Sequence, residues 1–234
     1  MHLIFWRFTA LRLRRLGLSA RCKYLHMQTM ALFVADPYCS VQSANAVLSA
    51  LAGKFHVKIF GPRELEQGFW HSVDLVCVPG GFGSAESYHR LMHYHCKDIQ
   101  NHVAGGGSYL GICMGAYWAG SYYLNILDSA DAVQYITQPN TCTRRPHAKN
   151  MPVQWQGRAT NMYFYDGCAF VGDNSKFATV AEYSNGDAMA IVQGRIGLIG
   201  CHPEAQQFWY DSYSWLTDRW QDHSSLLAEF AQSL

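Results

Sequence analysis

The sequence predicts an α/β fold with a mostly parallel central sheet and a hairpin-rich second half. Three observations carry this prediction. Short apolar runs alternate with helical stretches between Met30 and Leu124, a β-α-β succession that implies a parallel sheet with helices on both faces. The run VDLVCV, residues 73–78, is continuously apolar but for one Asp and stops at Pro79-Gly80-Gly81, as a buried parallel strand does at a tight turn. Beyond Met162, short strands are separated by Asp-Gly, Asn-Gly and Gly turns, the punctuation of hairpins.

Taken in order, residues 30–35 (MALFVA) read as a buried strand, 41–52 as a helix, 55–60 as a second strand and 73–78 as a central strand. A long helix is expected from about 85 to 103. Residues 107–112 are short, apolar and glycine-bounded, another buried strand, and 114–124 have the small-and-aromatic character of a packed helix. Residues 143–156, with Arg144, Arg145, Pro146 and Pro152, read as an irregular connection. Strands follow at 162–165, 177–183, 188–193 and 195–201, and residues 205–234 read as helical, carrying Trp209, Trp215 and Trp220. Core packing accounts for these tryptophans, and an interface for a partner enzyme or a second copy is the alternative.

With 234 residues, 49% of them hydrophobic, the chain is long enough for one sizeable core. Its net charge of +1 hides an asymmetry. Arg7, Arg12, Arg14, Arg15, Arg21 and Lys23 stand among the first 30 residues with no acid, which leaves 12 basic against 17 acidic residues elsewhere, about −5. Residues 1–29 therefore read as a basic extension, a presequence or a start codon assigned too early, and 30–234 as the domain. An acidic body lacks the basic stripe that nucleic acid needs, so that partner is not expected. No run of about 18 apolar residues predicts a membrane span. The eight cysteines form no C-x-x-C pair and no compact framework, as reduced cytoplasmic thiols do, although the basic arm leaves organellar targeting open.

The segment SYLGICMGAYWAG holds the strongest chemical signal. Cys113 lies at a strand-to-helix junction between Gly111 and Gly115, and a sharp turn there leaves no room for side chains two residues either side. This is a nucleophile elbow with Cys in place of Ser. A helix N-terminus and a nearby imidazole would both favour the thiolate. The imidazole is expected from IGLIGCHPE: His202 ends a strand, and Glu204, two residues on, can lean the same way on extended backbone and orient the ring. PGGFGS, residues 79–84, supplies a glycine turn whose Gly81 N–H, with the N–H of Met114, can form an oxyanion hole. Gly80, Tyr117, Tyr165 and Asp166 are candidate pocket residues, with Tyr163 beside them and Arg144 and Arg145 nearby for an acidic group.

PGGFGS, GICMGA and GCHPE, in that order, resemble the class I glutamine amidotransferase-like superfamily. GGGSYLGICMGAYWAGS, NMYFYDGCAF and AEYSNGDAMAIV running into GLIGCHPE resemble more narrowly the biotin-protein ligase N-terminal domain family, over roughly residues 30–204. The resemblance implies a flavodoxin-like three-layer sandwich and a Cys-His-Glu triad falling on Cys113, His202 and Glu204. Two departures matter. Glutamine amidotransferases usually continue the elbow with Gly-His-Gln where this chain has Gly115, Ala116 and Tyr117, and the intracellular-protease branch has His where this chain has Met114. The glycine- and arginine-rich signature of the biotin ligase catalytic domain is not in the chain, so biotin ligation by it alone is not expected.

The function expected is a cysteine-dependent amidotransferase-like hydrolase or acyl transferase acting on a small molecule with an amide or acyl group, without a cofactor. The alternative is a non-catalytic binding or regulatory module associated with a partner enzyme, and a third is oxidant sensing at Cys113. His89, His93 and Cys96 fall at helical spacing for a metal, but Met92, Cys96, Ile99 and Val103 make a better apolar stripe, so no metal site is expected.

Overall fold

The computed structural model describes residues 27–35, 38–65 and 68–234, so most of the basic stretch of residues 1–29 lies outside the described residues. Its strands are β1 (Thr29–Phe33), β2 (His56–Phe60), β3 (Leu75–Val78), β4 (Ser108–Ile112), β5 (Ala130–Gln134), β6 (Lys149–Trp155), β7 (Arg158–Phe164), β8 (Cys168–Gly172), β9 (Ala178–Tyr183), β10 (Ala188–Gln193) and β11 (Ile196–Ile199). They form one sheet in the order β2-β1-β3-β4-β11-β10-β9-β6-β7, with β8 joined to β10 and β5 joined to β8.

The five strands β2, β1, β3, β4 and β11 pair parallel in register. Every other pairing is antiparallel. The expectation of a mostly parallel sheet therefore holds for that half alone. The reason is connection length: tight turns such as Gln156-Gly157 and Gly194-Arg195 can only return the chain antiparallel, whereas each parallel step through β4 has a longer crossover. Burial follows the same division. β3, β4 and β11 are buried at every residue, as parallel strands covered on both faces must be, while β6 and β9 alternate.

The helices are α1 (Val41–Ala50), α2 (Ala85–Met92), α3 (Cys96–Ala104), α4 (Met114–Trp118), α5 (Gln207–Asp211) and α6 (Ser224–Gln232). Two glycines show which face they cover. A Cβ on Gly111 would meet the Gly115 carbonyl of α4 at 2.6 Å, and one on Gly197 would meet Phe230 of α6 at 2.7 Å. Gly111 pairs with Leu198, the strand neighbour of Gly197. Because successive residues of a strand point to opposite faces, α4 and α6 lie on opposite sides of the sheet. Helices α2 and α4 pack together, as do α1 and α6, which gives the three layers.

Several elements differ from the sequence reading. The long helix expected over 85–103 is broken by a 3-10 turn at His93–His95. There the His93 ring takes the Arg90 carbonyl (3.0 Å) and the Cys96 thiol the Met92 carbonyl (3.6 Å), side-chain competition that disfavours a continuous helix. The helix expected over 114–124 stops at Trp118, because the Leu124 N–H folds back to the Trp118 carbonyl and Asn125 takes a left-handed conformation (φ 50°). Residues 149–155 of the expected irregular connection form β6, and its Pro152 sits one residue before the part of β6 shared with β9, where a missing N–H is tolerated. Strands β5 and β8 were not expected at all. The C-terminal stretch is helical only in α5 and α6, and its intervening turns are pinned by indoles: Trp215 donates to the Ala148 carbonyl and Trp220 to the Ala205 carbonyl. Among the described residues no helix is long and apolar enough to cross a membrane.

Candidate active site

Four neighbouring parallel strands deliver the site. β1, β3, β4 and β11 end on the same side, and the residues just past their carboxyl ends are Ser43 in α1, the Pro79-Gly80-Gly81 turn, Cys113, and His202 with Glu204. That edge is where open α/β sheets present ligand sites.

Cys113 directly follows β4 and precedes α4, with φ 50° and ψ −105°, a conformation that L residues rarely adopt. The flanking glycines are required sterically. A Cβ on Gly115 would run into the Val78 carbonyl, and one on Gly111 would meet the Gly115 backbone. The elbow predicted from spacing is thus present. The thiol is 7% exposed, and its sulfur lies 4.0 Å from the Tyr165 carbonyl. Burial pushes the thiols of Cys39, Cys77, Cys168 and Cys201 up, so these remain protonated spectators in the core.

His202 Nδ1 lies 2.8 Å from Glu204 Oε1, and both residues are buried. They meet across a turn, closed by the Ala205 N–H on the His202 carbonyl, rather than along extended backbone as the spacing implied. The His202 backbone is anchored by its N–H to the Tyr163 carbonyl (2.9 Å), and its ring stands edge-on between Tyr163 and Trp209. Burial is the largest influence on the imidazole and opposes its charge. The nearby Cys113 sulfur and the Glu204 carboxylate, as charges, together with the Glu204 hydrogen bond, outweigh burial and raise the ring to about 10.

Glu204 has a second partner that the sequence did not signal. Ser43, in the first turn of α1, donates to Glu204 Oε1 (2.8 Å) and accepts from the Gly80 N–H (3.0 Å). Ser40 already caps that helix by accepting the Ser43 N–H, which leaves the Ser43 hydroxyl for the site. An S-x-x-S pair before an apolar stretch signals a cap, but only the fold brings it to a carboxylate 161 positions away.

The glycine turn is packed tightly. A Cβ on Gly80 would press on the His202 ring at 2.8 Å, and one on Gly81 would meet Tyr88, the Met114 sulfur and the Tyr38 carbonyl. The Gly80 N–H is committed to Ser43, so it is no oxyanion donor. Among the described residues the N–H groups of Gly81 and Met114 have no acceptor.

Cys113, Met114, His202, Gly80 and Gly81 line one cavity of about 590 Å³, together with Tyr117, Tyr165 and Asp166. Aromatic side chains dominate the rest of its wall, with Phe82, Tyr165 and Phe208 exposed. Asp166 is held in a left-handed conformation (φ 56°), its carboxylate oxygens 2.8 and 2.9 Å from Gln134 Nε2 and its carbonyl accepting the Tyr117 hydroxyl. Burial first, then the Cys168, Cys113 and Asp166 charges, push the Tyr117 phenol up, so it stays a donor. Gln134, Trp209 and Ser43 are the site residues that sequence reasoning missed.

Arg144 and Arg145 do not reach the cavity. Arg144 donates instead to the Ile136 and Gln138 carbonyls. His89 lies 4.0 Å from the Cys96 sulfur, while His93 packs at a tilt against Tyr94, and no cluster able to hold a metal occurs among the described residues.

A family model described as biotin-protein ligase, N terminal, matches residues 35–126. The match takes in the glycine turn and Cys113 and stops short of His202 and Glu204. No curated protein matches this sequence. Among solved structures, a glutamine amidotransferase is 16% identical with a TM-score of 0.57, over 75% of this chain and 90% of its own. PurLQS from Thermotoga maritima is 12% identical with a TM-score of 0.60, over 89% and 100%. A glutamine amidotransferase from the same organism is 16% identical with a TM-score of 0.55, over 89% and 91%. At such identities the likeness concerns the fold. The chain thus resembles the biotin-protein ligase N-terminal family over residues 35–126 and has the fold of class I glutamine amidotransferase-like proteins, as its motifs implied.

Proposed function

We propose that the protein is a cysteine-dependent, amidotransferase-like hydrolase or acyl transferase in which Cys113, His202 and Glu204 act as a triad. The observation that carries this reading is the strained Cys113 elbow facing an imidazole that a buried carboxylate holds at 2.8 Å. The Cys113 sulfur attacks an amide or related acyl carbon, and the oxyanion that forms is met by the Gly81 and Met114 N–H groups. His202 passes its proton to the leaving nitrogen as the carbon–nitrogen bond breaks, leaving a thioester on Cys113. Water or an amine then attacks the thioester, giving its proton to His202, and the thiolate is released. Glu204 fixes the ring's tautomer and orientation throughout.

The substrate in this reading is a small molecule that fits a cavity of about 590 Å³. The domain comprises residues 30–234, preceded by a basic extension, and it works in a reducing compartment, the cytoplasm, which fits its scattered thiols. A partner enzyme or a second copy is the protein partner this reading accommodates.

One observation favours a second reading, a binding module without turnover. Ala116 and Tyr117 replace the His-Gln of the amidotransferase elbow, and the Tyr117 hydroxyl is committed to the Asp166 carbonyl. Incubation with a panel of amides and activated esters, followed by intact-mass analysis, separates the two. The enzyme reading predicts an acyl adduct on Cys113 that hydroxylamine discharges and that Cys113→Ala abolishes. Full turnover by Cys113→Ala protein would sink it.

A further inference from the structure

The cavity beside Cys113 has an unbalanced charge. Among the described residues His202 is the only cationic group in its wall, and its charge is already claimed by Glu204 and the Cys113 sulfur. No described Lys or Arg lines it. Asp166 is the remaining charge, and its hydrogen-bonding partner, the Gln134 amide, is neutral: it fixes the carboxylate in place without cancelling it. Among the described residues Asp166 has no ion pair. The same cavity wall carries aromatic rings, among them Tyr117, Tyr123, Tyr163, Tyr165 and Tyr213, of which Tyr117 is tied to Asp166 by its hydroxyl. A fixed carboxylate in an aromatic-lined cavity attracts a cation and repels an anion.

From this we infer that the site takes a substrate carrying a cationic nitrogen, an ammonium or amidinium group seated by Asp166 and the tyrosine rings, next to the amide or acyl carbon presented to Cys113. The inference rests on the proposed nucleophile and adds the charge class of the molecule it attacks. An amide bearing a carboxylate or phosphate at the same distance meets Asp166 and, among the described residues, no compensating cation, and is rejected. The left-handed turn at Asp166 suits this role, because Asp and Asn tolerate that conformation better than other non-glycine residues, and Tyr117 ties the same residue's carbonyl back to α4.

Three chloroacetamides with the same warhead and different tails, aminoethyl, hydroxyethyl and carboxyethyl, test the inference on the full chain. Each alkylates by forming a carbon–sulfur bond as the carbon–chlorine bond breaks, with chloride leaving and the thiol proton held on His202. Second-order rates at Cys113, read by mass spectrometry, should fall in the order cationic, neutral, anionic. The cationic probe should lead the anionic one by about tenfold or more, as a nearby unscreened carboxylate requires. Asp166→Asn, which keeps the turn, should shrink the ratio of cationic to anionic rate toward one. An anionic probe as fast as the cationic one, or a ratio unmoved by Asp166→Asn, overturns the inference while leaving the nucleophile standing. Should Cys113 react no faster than the other cysteines, the nucleophile reading falls instead. The charge preference is then decided on Cys113→Ser protein by saturation-transfer NMR with propanamide, β-alaninamide and succinamate, of which only β-alaninamide should show enhanced binding. Equal or stronger binding of succinamate refutes it.

Discussion

The Ser43 hydroxyl lies 2.8 Å from Glu204 Oε1 and 3.0 Å from the Gly80 N–H, so one side chain joins the carboxylate behind His202 to the glycine turn in front of it. The rest of the Glu204 side chain is sealed. Its other oxygen is buried and, among the described residues, unpartnered, which makes the Oε1 contacts to Ser43 and His202 the main compensation for a desolvated carboxylate.

Ser43→Ala removes that donor and frees the Gly80 N–H. Stability should fall by about 2 kcal/mol, the range for a hydrogen bond to a buried charged group, seen as a lower denaturant midpoint with unchanged m-value. Alkylation of Cys113 should slow several-fold at neutral pH. Loss of stability without any change in alkylation rate would limit Ser43 to a structural part.

Strain at Cys113 gives a second expectation. Glycine adopts φ 50° freely and alanine does not, so Cys113→Gly should be more stable than Cys113→Ala by about 1 kcal/mol, the reverse of the usual order. Thermal or denaturant unfolding of the pair measures this, and neither variant should form an adduct with an acylating probe.

Gly115→Ala tests the steric basis of the elbow. Its new methyl group would run into the Val78 carbonyl, backbone that cannot rotate away, so the cost should reach about 3 kcal/mol or prevent folding. Gly157→Ala is the control for crowding, since nothing lies near a Cβ there. It should cost far less, and only through its positive φ.

The pH dependence of stability follows from His202. Its ring is raised to about 10 in the fold, against an ordinary value of about 6.5 in the unfolded chain. Below about 6.5 both states hold the proton and the contribution is complete. As pH rises from there toward 10 the unfolded state sheds the proton while the folded state keeps it, so the stabilisation is progressively lost. Melting temperatures across this window should therefore fall more steeply for the natural protein than for His202→Gln. The comparison isolates the ring from the buried thiols Cys77, Cys168 and Cys201, whose raised values lower stability at high pH in both proteins.

Local rules gave the parts of the site that depend on backbone. Glycines at positions 111 and 115 bracket Cys113 because a strand that turns sharply into a helix cannot hold a Cβ there, and the structure shows the collisions they avoid. The unbroken apolar runs at β3, β4 and β11 belong to strands buried on both faces. Signals failed where side chains competed with the backbone, as at His93–His95, and where a strand is held by its neighbours rather than by its own pattern, as β5 is by β8.

The sequence by itself determined the α/β class, the elbow at Cys113, and the pairing of an imidazole with a carboxylate two residues on. The first two follow from periodicity and local sterics, while His202 and Glu204 meet across a turn rather than along the extended backbone their spacing implied. Only the tertiary structure decided that Ser43 supports Glu204, that Gln134 fixes Asp166, that Trp209 walls His202, and that the arginines at 144 and 145 stay away. The Ser43–Glu204 and Gln134–Asp166 contacts join residues 161 and 32 positions apart, and which residues meet at such distances is set by strand order and by the side of the sheet on which each chain segment emerges.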